Sequence, residues 1–381
     1  MAARKRKPSN VAIYCPLWHN YDHASSWKGE GWCEWELLKS AIARFPGHYQ
    51  PLRPSWGCFD ESDPAWAARE IDLAADHGLD VFLFDWYWYS GVKLMEEALE
   101  RGFLQAPNNR RLKFALMWAN HEWSDYFPPP FGKPWNWLLP IRHSAADMQR
   151  IIAYCVEHYF RRPNYWQVDG RLFFSVFQPG LMVQQLGGPA AAKAVFAELD
   201  AQLRGDGLPP LHWNAMVWSP AQVEVLREAG FHSTTSYNLI SSGKAGPDLV
   251  DRYEDLMSRH LEHWAAMSRT ALPHNPVVTM GWDVTPRCEK HLTWPLPPSP
   301  LTGHHDYPYM SLVLGNTPNR FAELCRRAAE YAAKPAHGSA AIFINAWNEW
   351  TEGSYLLPEE RTGTAYLEAI RDVLGAADRR R

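Results

Sequence analysis

Two glutamates three positions apart, Glu349 and Glu352, are the residues of this sequence best suited to chemistry. They follow a short apolar run, 341–345, and stand among tryptophans, an asparagine and a tyrosine. An unpaired carboxylate costs several kcal/mol to bury, so two acids in such surroundings are either paired with other groups or kept for a reaction. The alternative is that both are solvated loop acids.

Two acids in an aromatic pocket suit the cleavage of a glycosidic bond. One acid must be protonated near neutral pH to assist the leaving group, and the other must be ionised to act on the opposite side of the sugar. Desolvation and repulsion between the carboxylates separate their pKa values, so one pocket can hold both forms. Aromatic side chains stack on sugar rings, and the chain has 20 Trp, 16 Tyr and 16 Phe, although these can equally fill a core.

Polar residues also stand directly after other apolar runs, in widely separated parts of the chain. Together with the glutamates, these strand-end residues are His19, Asp85, Asn120, His121, Glu122, Asp283, Asn348, Glu349 and Glu352. Some have simpler interpretations. Asp85 could cap a helix or pair with a buried arginine, and His121 could be a hydrogen-bonded core histidine. Asp283 could brace a loop together with Arg287.

Other catalytic classes have weaker support. Scattered histidines and acids suggest a metal site, but an H-x-H pattern is missing after the first strand, and His304 and His305 lack an obvious third ligand. No nucleophile-elbow pattern marks a catalytic Ser or Cys. No glycine-rich phosphate loop follows a strand, so a nucleotide-binding fold is not indicated. We therefore expect neither a metal nor another cofactor.

The elements that must position these residues follow from apolar runs and amphipathic stretches. The predicted buried strands are 11–17, 79–84, 113–118, 172–177, 211–217, 232–236, 276–280 and 340–345. The predicted helices are 65–77, 92–104, 145–160, 190–203, 220–229, 248–268, 319–333 and 364–374. The helix at 65–77 has the clearest start, because Asp63 is a good N-cap and Pro64 suits a first helical position.

Strands and helices alternate along the whole chain, which predicts a parallel sheet. Eight such units in 381 residues favour a closed (β/α)8 barrel, the TIM-barrel fold, over an open sheet. The carboxyl ends of all strands meet at one face of such a barrel, so the strand-end residues should come together there. The excursion 20–64 is long and rich in Trp, Gly and Pro, and we interpret it as a binding loop over one face. We expect one α/β domain with long aromatic-rich βα loops.

The predicted organisation is a disordered basic N-terminus at 1–9, a catalytic barrel over 10–376 and a basic tail at 377–381. A net charge of −4 gives no electrostatic case for nucleic acid or an anionic membrane, so a carbohydrate is the expected partner. Six scattered Cys argue against a structural zinc site and a dense disulfide framework. With no membrane span and no signal peptide in view, we expect a cytoplasmic protein, although a secreted protein that has lost its signal peptide would look the same. The oligomeric state stays open.

The motif Trp-Asn-Glu-Trp-Thr-Glu-Gly at 347–353, with Leu-Pro-Glu at 357–359, resembles the signature of glycoside hydrolase family 99 and of the related WbsX-like proteins of polysaccharide gene clusters. The resemblance to the WbsX-like group extends along the chain. Its further motifs are Gly-Trp-Cys-Glu-Trp at 31–35, Phe-Pro-Gly-His-Tyr-Gln-Pro at 45–51, the aromatic run at 86–89 and Trp-Ala-Asn-His-Glu-Trp at 118–123. There are two departures. The sequence Asn-His-Glu replaces the commoner Asn-Glu-Asn, which leaves the roles of His121 and Glu122 open, and Cys33 stands where many relatives have Phe or Thr.

The resemblance implies a (β/α)8 barrel and metal-independent cleavage of an α-linked sugar with retention. Carried over by position, Glu349 would deprotonate the sugar's own 2-hydroxyl, which attacks the anomeric carbon to give a 1,2-anhydro intermediate. Glu352 would act as general acid and then as general base. The 2-hydroxyl must lie opposite the leaving group, so α-manno and α-rhamno sugars qualify and α-gluco sugars do not.

Motifs and strand ends together give the predicted substrate-binding set. Its members are His19, Trp32, Glu34, Trp35, His48, Tyr49, Asp85, Trp86, Tyr87, Trp88, Trp118, Asn120, His121, Glu122, Trp282, Asp283, Trp347, Asn348, Trp350 and Tyr355. The leading hypothesis is a retaining glycoside hydrolase that cleaves an α-mannoside-like or α-rhamnoside-like linkage in a glycan or polysaccharide. The alternatives are a glycosyltransferase of polysaccharide assembly, the label that WbsX-like proteins have often carried, and a non-catalytic sugar-binding barrel.

Overall fold

The computed structural model describes residues 7–124, 128–240 and 246–375. Its centre is a barrel of parallel strands. Within the described residues the eight barrel strands are β1 (Ser9–Tyr14), β2 (Val81–Tyr89), β3 (Lys113–Trp118), β4 (Arg171–Val176), β5 (Leu211–Met216), β6 (Ser233–Thr235), β7 (Val277–Thr279) and β8 (Ala341–Asn345). Their order is β6-β5-β4-β3-β2-β1-β8-β7, and all hydrogen-bonded neighbours in it are parallel. The predicted (β/α)8 barrel is confirmed.

The barrel closes between β6 and β7, where the ladder is shortest. In the described part of the chain one isolated parallel bridge, between Thr234 and His274, joins these two sides. A side chain extends this seam, because the hydroxyl of Thr235 donates to the carbonyl of Asn275 at 2.9 Å. Closure places the carboxyl ends of all the strands around one opening.

Helices surround the barrel and connect its strands. They are α1 (Asp22–Lys28), α2 (Trp35–Ser40), α3 (Pro64–Asp76), α4 (Ala145–Cys155), α5 (Pro179–Gln185), α6 (Pro189–Gly205), α7 (Val223–Glu228), α8 (Tyr253–Met267), α9 (Pro318–Ala332) and α10 (Ala365–Val373). Short strands outside the barrel are Val92–Leu94, Trp123–Ser124, Trp137–Leu139, Gln167–Val168, Val250–Arg252, Leu312–Leu314, Asn348–Glu349 and Ser354–Tyr355. None of the helices in the described ranges has the length and apolar composition of a membrane span.

The strands and α3 form where the sequence predicts them. β2 is buried over its whole length, because its inner side chains fill the barrel and its outer side chains are covered by helices. At the start of α3 the side chain of Asp63 accepts the N–H of Ala65 at 2.8 Å, and Pro64 is the first helical residue.

The predicted helix at 92–104 is wrong. Val92–Leu94 is a short strand that runs back antiparallel along β2, and the helical part that follows is limited to a π turn and a 3-10 turn within 98–105. The reversal depends on Ser90 and Gly91, which both have positive φ, of 50° and 107°. Two such residues make a tight hairpin turn, and Gly91 adopts this conformation without steric cost.

The predicted helix at 248–268 is correct only in its later part. Val250–Arg252 is a strand that pairs in parallel with Leu312–Leu314, and α8 begins at Tyr253. At the N-terminus β1 begins at Ser9, so the predicted disordered segment 1–9 overlaps the first strand. Its residues 1–6 and the predicted tail 377–381 lie outside the described residues.

Candidate active site

A cavity of about 530 Å³ opens at the carboxyl ends of the barrel strands. Every barrel strand contributes a lining residue at or just beyond its carboxyl end, in strand order Cys15, Tyr87, Ala119, Phe177, Trp218, Tyr237, Trp282 and Glu349. The predicted site residues that line this cavity are Asp85, Tyr87, His121, Trp282, Glu349 and Glu352. The walls are mostly apolar and aromatic, and the acids are gathered on one part of them.

Both catalytic candidates are held by a tight turn after β8. Asn348–Glu349 pairs antiparallel with Ser354–Tyr355, and a 3-10 turn joins them. Gly353 has a φ of 68°, and a Cβ there would lie 2.7 Å from the backbone nitrogen of Asp283, so only glycine fits. That same N–H donates to the carbonyl of Glu352 at 2.7 Å, which fastens the loop after β7 to the turn after β8.

The guanidinium of Arg287 bridges the two glutamates. Its Nη2 donates to Oε1 of Glu349 at 2.6 Å, and its Nη1 donates to Oε1 of Glu352 at 2.6 Å. Nη2 also donates to both oxygens of Glu34 at 3.0 Å. The hydroxyl of Tyr307 donates to Oε1 of Glu352 at 2.8 Å and accepts from Arg287. One buried cation is therefore shared by three buried carboxylates.

This arrangement favours a proton within the cluster. Burial raises the pKa of Glu349 well above its ordinary value; Arg287 opposes the shift, and the charge of Glu352 adds to it. Burial also raises the pKa of Glu352, although Arg287 and the hydrogen bond from Tyr307 lower it. Because three carboxylates surround one guanidinium, the pair can hold one proton and one negative charge near neutral pH. The site can thus supply a proton donor and a proton acceptor.

A second polar group lies beside Glu349. The hydroxyl of Tyr237 donates to Oδ2 of Asp85 at 3.0 Å and reaches Oε2 of Glu349 at 3.5 Å. Burial raises the pKa of Asp85 well above its ordinary value. Its Oδ1 has no hydrogen-bond partner among the described residues, and Asp85 lines the cavity, so a ligand hydroxyl could bond there.

Cys15, Asp85 and Glu349 form the one group in the described chain that could hold a metal ion. Their donor atoms lie within 4.8 Å of one another, and all three residues are buried. Burial raises the pKa of the Cys15 thiol, which disfavours the thiolate that a metal requires. Glu349 is also already bonded to Arg287. The expectation of metal-independent chemistry stays a prediction.

Two residues of the predicted set, His19 and Asn348, belong to a separate buried group. The ring of His19 bonds to Glu61 at 2.9 Å and to Glu97 at 3.2 Å. The amide of Asn348 donates to Glu61 at 3.3 Å and also pairs with the backbone N–H and C=O of Cys15. These residues tie the loop after β1 to the turn after β8 and do not line the cavity.

Three tryptophans of the predicted set point away from the cavity and form hydrogen bonds elsewhere in the protein. The indole of Trp86 donates to the hydroxyl of Tyr159 at 3.3 Å, and that of Trp88 donates to Asp147 on α4 at 3.2 Å. Side chains alternate along a strand, so the two cavity-lining residues of β2 leave these tryptophans on its other face. Trp118 is fully buried at the end of β3, where its indole donates to the carbonyl of Trp88.

The other predicted aromatics pack within the loops. Trp350 stacks on Tyr355 with ring centroids 4.2 Å apart, Trp35 packs on Trp18 at 4.4 Å, and the indole of Trp347 donates to Glu70 at 2.8 Å. The remaining predicted residues that do not line the cavity are Trp32, Glu34, His48, Tyr49, Asn120, Glu122 and Asp283. Among them, Asn120 accepts the N–H of Gln178 at 2.6 Å and so fixes the loop after β4.

The structure decides several of the alternatives. Glu349 and Glu352 are 2% and 7% exposed, so they are not solvated loop acids. Within the described residues Asp85 neither caps a helix nor pairs with an arginine, and its side chain accepts from the hydroxyl of Tyr237 instead. Asp283 does brace a loop, but through other partners than Arg287. None of the residues in the excursion 20–64 lines the cavity, so this excursion supports the site from outside.

Sequence reasoning missed Arg287 as a site residue, together with Cys15, Tyr237 and Tyr307. Cys15 and Tyr237 stand just after β1 and β6, so the rule used for the other strand ends could have found them. Arg287 and Tyr307 come from the irregular segment after β7, where no periodicity marks a position as buried. The sequence alone suggests Arg287 only as a partner for Asp283.

Comparison with known proteins places the chain among uncharacterised relatives. The family model described as glycosyltransferase WbsX matches residues 10–294 and 307–370. Two relatives, both named uncharacterized protein WxcX, come from Xanthomonas campestris pv. campestris, strains ATCC 33913 and B100. Each is 28% identical over 383 residues, which cover 96% of this chain and 50% of the relative. The chain thus spans about half the length of the curated relatives it matches.

Solved structures share the fold. A GH99 endo-alpha-mannosidase from Bacteroides thetaiotaomicron is 14% identical with a TM-score of 0.57, and the match covers 96% of both chains. A protein described as glycoside hydrolase-like is also 14% identical, with a TM-score of 0.61, over 96% of this chain and 94% of the other. At such identities the likeness shows a glycoside hydrolase-like fold alone.

Proposed function

Because this chain belongs to the WbsX family and two buried acids meet in its cavity, we propose that it is a retaining glycoside hydrolase for an α-mannoside-like or α-rhamnoside-like linkage in a glycan or polysaccharide. One observation carries the proposal: Glu349 and Glu352 both line the cavity while a single guanidinium bonds to each at 2.6 Å. The fold shared with an endo-alpha-mannosidase supports it by analogy. Aromatic walls such as Trp282 offer faces for a sugar ring.

In the proposed reaction Glu349 takes the proton of the substrate's 2-hydroxyl, and the resulting oxygen attacks the anomeric carbon. Glu352 gives its proton to the departing glycosidic oxygen, so the C1–O bond breaks as the new C1–O2 bond forms. Water then opens the 1,2-anhydro sugar, with Glu352 taking the water proton and Glu349 returning a proton to O2. Two inversions at the anomeric carbon give net retention.

These roles require the proton to lie on Glu352 when sugar is bound. Glu352 accepts from both Arg287 and Tyr307 at Oε1, which favours its ionised form. A 2-hydroxyl that donates to Glu349 would favour the ionised form of Glu349 instead. Substrate binding therefore would move the proton toward the leaving group, where general acid catalysis needs it.

The proposal is tested by hydrolysis of aryl α-glycosides of manno, rhamno, gluco and galacto configuration, with and without chelator. We expect turnover limited to the manno and rhamno substrates and unaffected by chelator, since only these place the 2-hydroxyl opposite the leaving group. The product first formed should have the α configuration, as measured by NMR. Turnover of the gluco substrate at a similar rate, or a product of inverted configuration, would refute the mechanism.

The two glutamates are distinguished by the leaving group. Glu352→Gln should lose about 100-fold or more on an alkyl or glycan leaving group but much less on an activated aryl one, which needs little acid assistance. Glu349→Gln should lose about 1000-fold or more, by a similar factor with both kinds of leaving group. The exposed Glu360, 57% exposed at its side chain, gives a control variant, Glu360→Gln, with unchanged rates. If the losses in the two active-site variants depend on the leaving group in the same way, the roles are assigned wrongly.

A glycosyltransferase is the second candidate, because the matching family carries that description. It would use a nucleotide- or lipid-linked sugar donor, and no glycine-rich phosphate loop in the sequence provides for a nucleotide. Calorimetric titration with a panel of sugar nucleotides separates the two. Binding that is lost in Glu349→Gln, together with no hydrolysis of any glycoside, would favour the transferase.

A further inference from the structure

Arg287 needs outside support to bridge two acids. The backbone around it has only the short 3-10 turn Thr285–Arg287 as regular structure, within a loop that follows β7. The side chain has four flexible torsions, yet its guanidinium bonds to acids from two different parts of the chain. Such a side chain keeps one geometry only when its own backbone is fixed. We call residues 283–292 the Arg287 loop.

Arg44 holds the Arg287 loop on both sides of Arg287. The Nη1 of Arg44 donates to the carbonyls of Glu289 and Leu292, both at 3.1 Å, and lies 3.4 Å from that of Lys290. Its Nη2 donates to the carbonyls of Thr285 at 3.1 Å and Cys288 at 3.0 Å. One planar guanidinium thus gathers carbonyls on both sides of Arg287, a geometry that the point charge of a lysine does not reproduce.

The start of the loop is also held by His48 and Gln50, through Asp283. His48 Nε2 bonds to Oδ2 of Asp283 at 2.8 Å, and the amide of Gln50 donates to the same oxygen at 2.6 Å. Burial alone would raise the pKa of Asp283, but the bond to His48 and that from Gln50 outweigh it and hold the pKa below its ordinary value. Oδ1 of Asp283 accepts from the backbone and the hydroxyl of Thr285, which fixes the turn that leads to Arg287.

We propose that Arg44, His48 and Gln50 form a clamp that positions Arg287 and thereby sets the protonation of Glu349 and Glu352. None of the three clamp residues lines the cavity, so they act on the acids only through the Arg287 loop. They belong to the excursion 20–64, which also supplies Glu34 as the third acid on Arg287. The expected shift of the pH profile rests on the proposed function. The claim that the clamp fixes the Arg287 loop does not depend on turnover.

Arg44→Met tests the clamp. Arg287 lowers the pKa of both glutamates, so a displaced Arg287 lets these pKa values rise. The acid limb of the pH profile of kcat/KM should therefore move to higher pH by about half a unit, with a loss of about ten-fold in kcat at pH 6. Arg44→Lys should recover only part of the shift. In an Arg287→Met background the substitution of Arg44 should cause no further shift, since the group that it positions is gone.

The matched control is Arg320→Met. Arg320 also donates to a backbone carbonyl, that of Gly315 at 2.7 Å, and pairs with Glu254, but it contacts neither the Arg287 loop nor the cavity. It should lower the melting temperature by a similar amount and leave the pH profile in place. An Arg44→Met enzyme that loses stability with an unmoved acid limb would overturn the proposal, because the residue would then be merely structural.

A readout without turnover keeps the two proposals separate. Cys288 lies in the Arg287 loop, is 2% exposed, and its carbonyl accepts from Arg44. Thiol labelling of Cys288, measured by mass spectrometry against the buried Cys325 of α9, should accelerate at least ten-fold in Arg44→Met and stay unchanged in Arg320→Met. Arg44→Met should also shift the pH dependence of the melting temperature, because the pKa values of the two glutamates rise, and this second shift should vanish in the Arg287→Met background. If the wild type hydrolyses no glycoside, the proposed function fails while these two measurements still decide the clamp, and unchanged labelling refutes it.

Discussion

Two groups of acids meet along the segment 347–352, and they differ in how their oxygens are used. The closed group consists of Glu61 and Glu70, which bond to residues 348 and 347 of this segment. The open group consists of Glu34, Glu349 and Glu352 around Arg287. All five acids are buried, so burial alone does not distinguish a structural acid from a catalytic one.

In the closed group both oxygens of each acid are occupied by protein donors. Oε1 of Glu70 accepts from the indole of Trp347 at 2.8 Å, and Oε2 accepts from the hydroxyl of Tyr14 at 3.0 Å. Oε1 of Glu61 accepts the backbone N–H of Trp18 at 2.7 Å and bonds to His19, and Oε2 accepts from Asn348. Each oxygen of these two acids therefore already has a protein partner, and neither acid lines the cavity.

In the open group Glu349 and Glu352 keep acceptor capacity toward the cavity, whereas Glu34 lies behind Arg287 with both oxygens bonded to it. The hydrogen bonds that Glu352 makes within the described residues all reach Oε1, and the contact of Tyr237 with Oε2 of Glu349 is long, at 3.5 Å. The comparison teaches that unused acceptor capacity at a cavity wall marks an acid as functional. Protein donors at every oxygen mark it as structural.

The largest effect expected from this comparison separates activity from stability. Glu349→Gln should reduce kcat by about 1000-fold or more while changing the melting temperature by little, because it removes the base and keeps the shape. Glu61→Gln should cost about 2–4 kcal/mol of stability and reduce kcat less than ten-fold, since it leaves donors unpaired away from the cavity. Thermal unfolding and steady-state kinetics on both variants check this. The comparison breaks if Glu61→Gln is inactive but fully stable.

Arg287→Met is expected to have the next largest effect. Without the guanidinium the pKa values of Glu349 and Glu352 rise. Glu349, the proposed base, then loses its proton only at higher pH, and Glu352, the proposed acid, stays protonated to higher pH. The whole pH profile of kcat/KM should shift to higher pH, and activity at pH 6 should fall by about 100-fold, more than at pH 8. A pH profile of kcat/KM measured over roughly pH 5 to 8, where folded proteins tend to be most stable, checks this. A profile that keeps its position as the rate falls would mean that Arg287 binds substrate instead.

The smallest effect concerns the stability of the closed group. Burial raises the pKa of Glu70 from 4.5 to about 8. The folded protein therefore holds this proton between these two values while the unfolded chain releases it, so the wild type loses stability as pH rises through this window. Glu70→Gln removes that dependence. The melting temperature of the variant minus that of the wild type should therefore increase by several degrees from pH 5 to pH 8, roughly the window of the shift. Parallel melting curves in this range would contradict the prediction.

The barrel could be predicted from the sequence because its strands are buried on both faces. The strand predicted at 113–118 is Lys113–Trp118 in the structure, and the other seven differ by a few residues at their ends or, for β2, by its extension to Tyr89. Continuous apolar runs bounded by turn residues carry that information locally. The helix predicted at 92–104 failed because two adjacent residues of positive φ reversed the chain, which periodicity does not report.

The acids of the site could also be predicted, but their cation could not. Glu349 and Glu352 share one short motif after a strand, so sequence distance and spatial distance agree. Arg287 is 62 positions before Glu349 and 65 positions before Glu352. Its position depends on contacts between its loop and the excursion 20–64. Aromatic residues were over-predicted for a different reason, which is that motif membership does not say which face of a strand a side chain occupies. Trp86 and Tyr87 are neighbours in sequence, yet a strand sends one to the helices and the other to the cavity.

The position of β1 in the sheet has a consequence for synthesis. β1 pairs on one side with β2 and on the other with β8, where Ser9 is the partner of Ala341. A chain that emerges from the ribosome in order therefore exposes one edge of its first strand until nearly all of the barrel has been made. Unpaired edges recruit other strands, and such distant pairings form slowly. Glu349 and Glu352 directly follow β8, so the nascent chain completes its cavity and covers the free edge of β1 in the same late step.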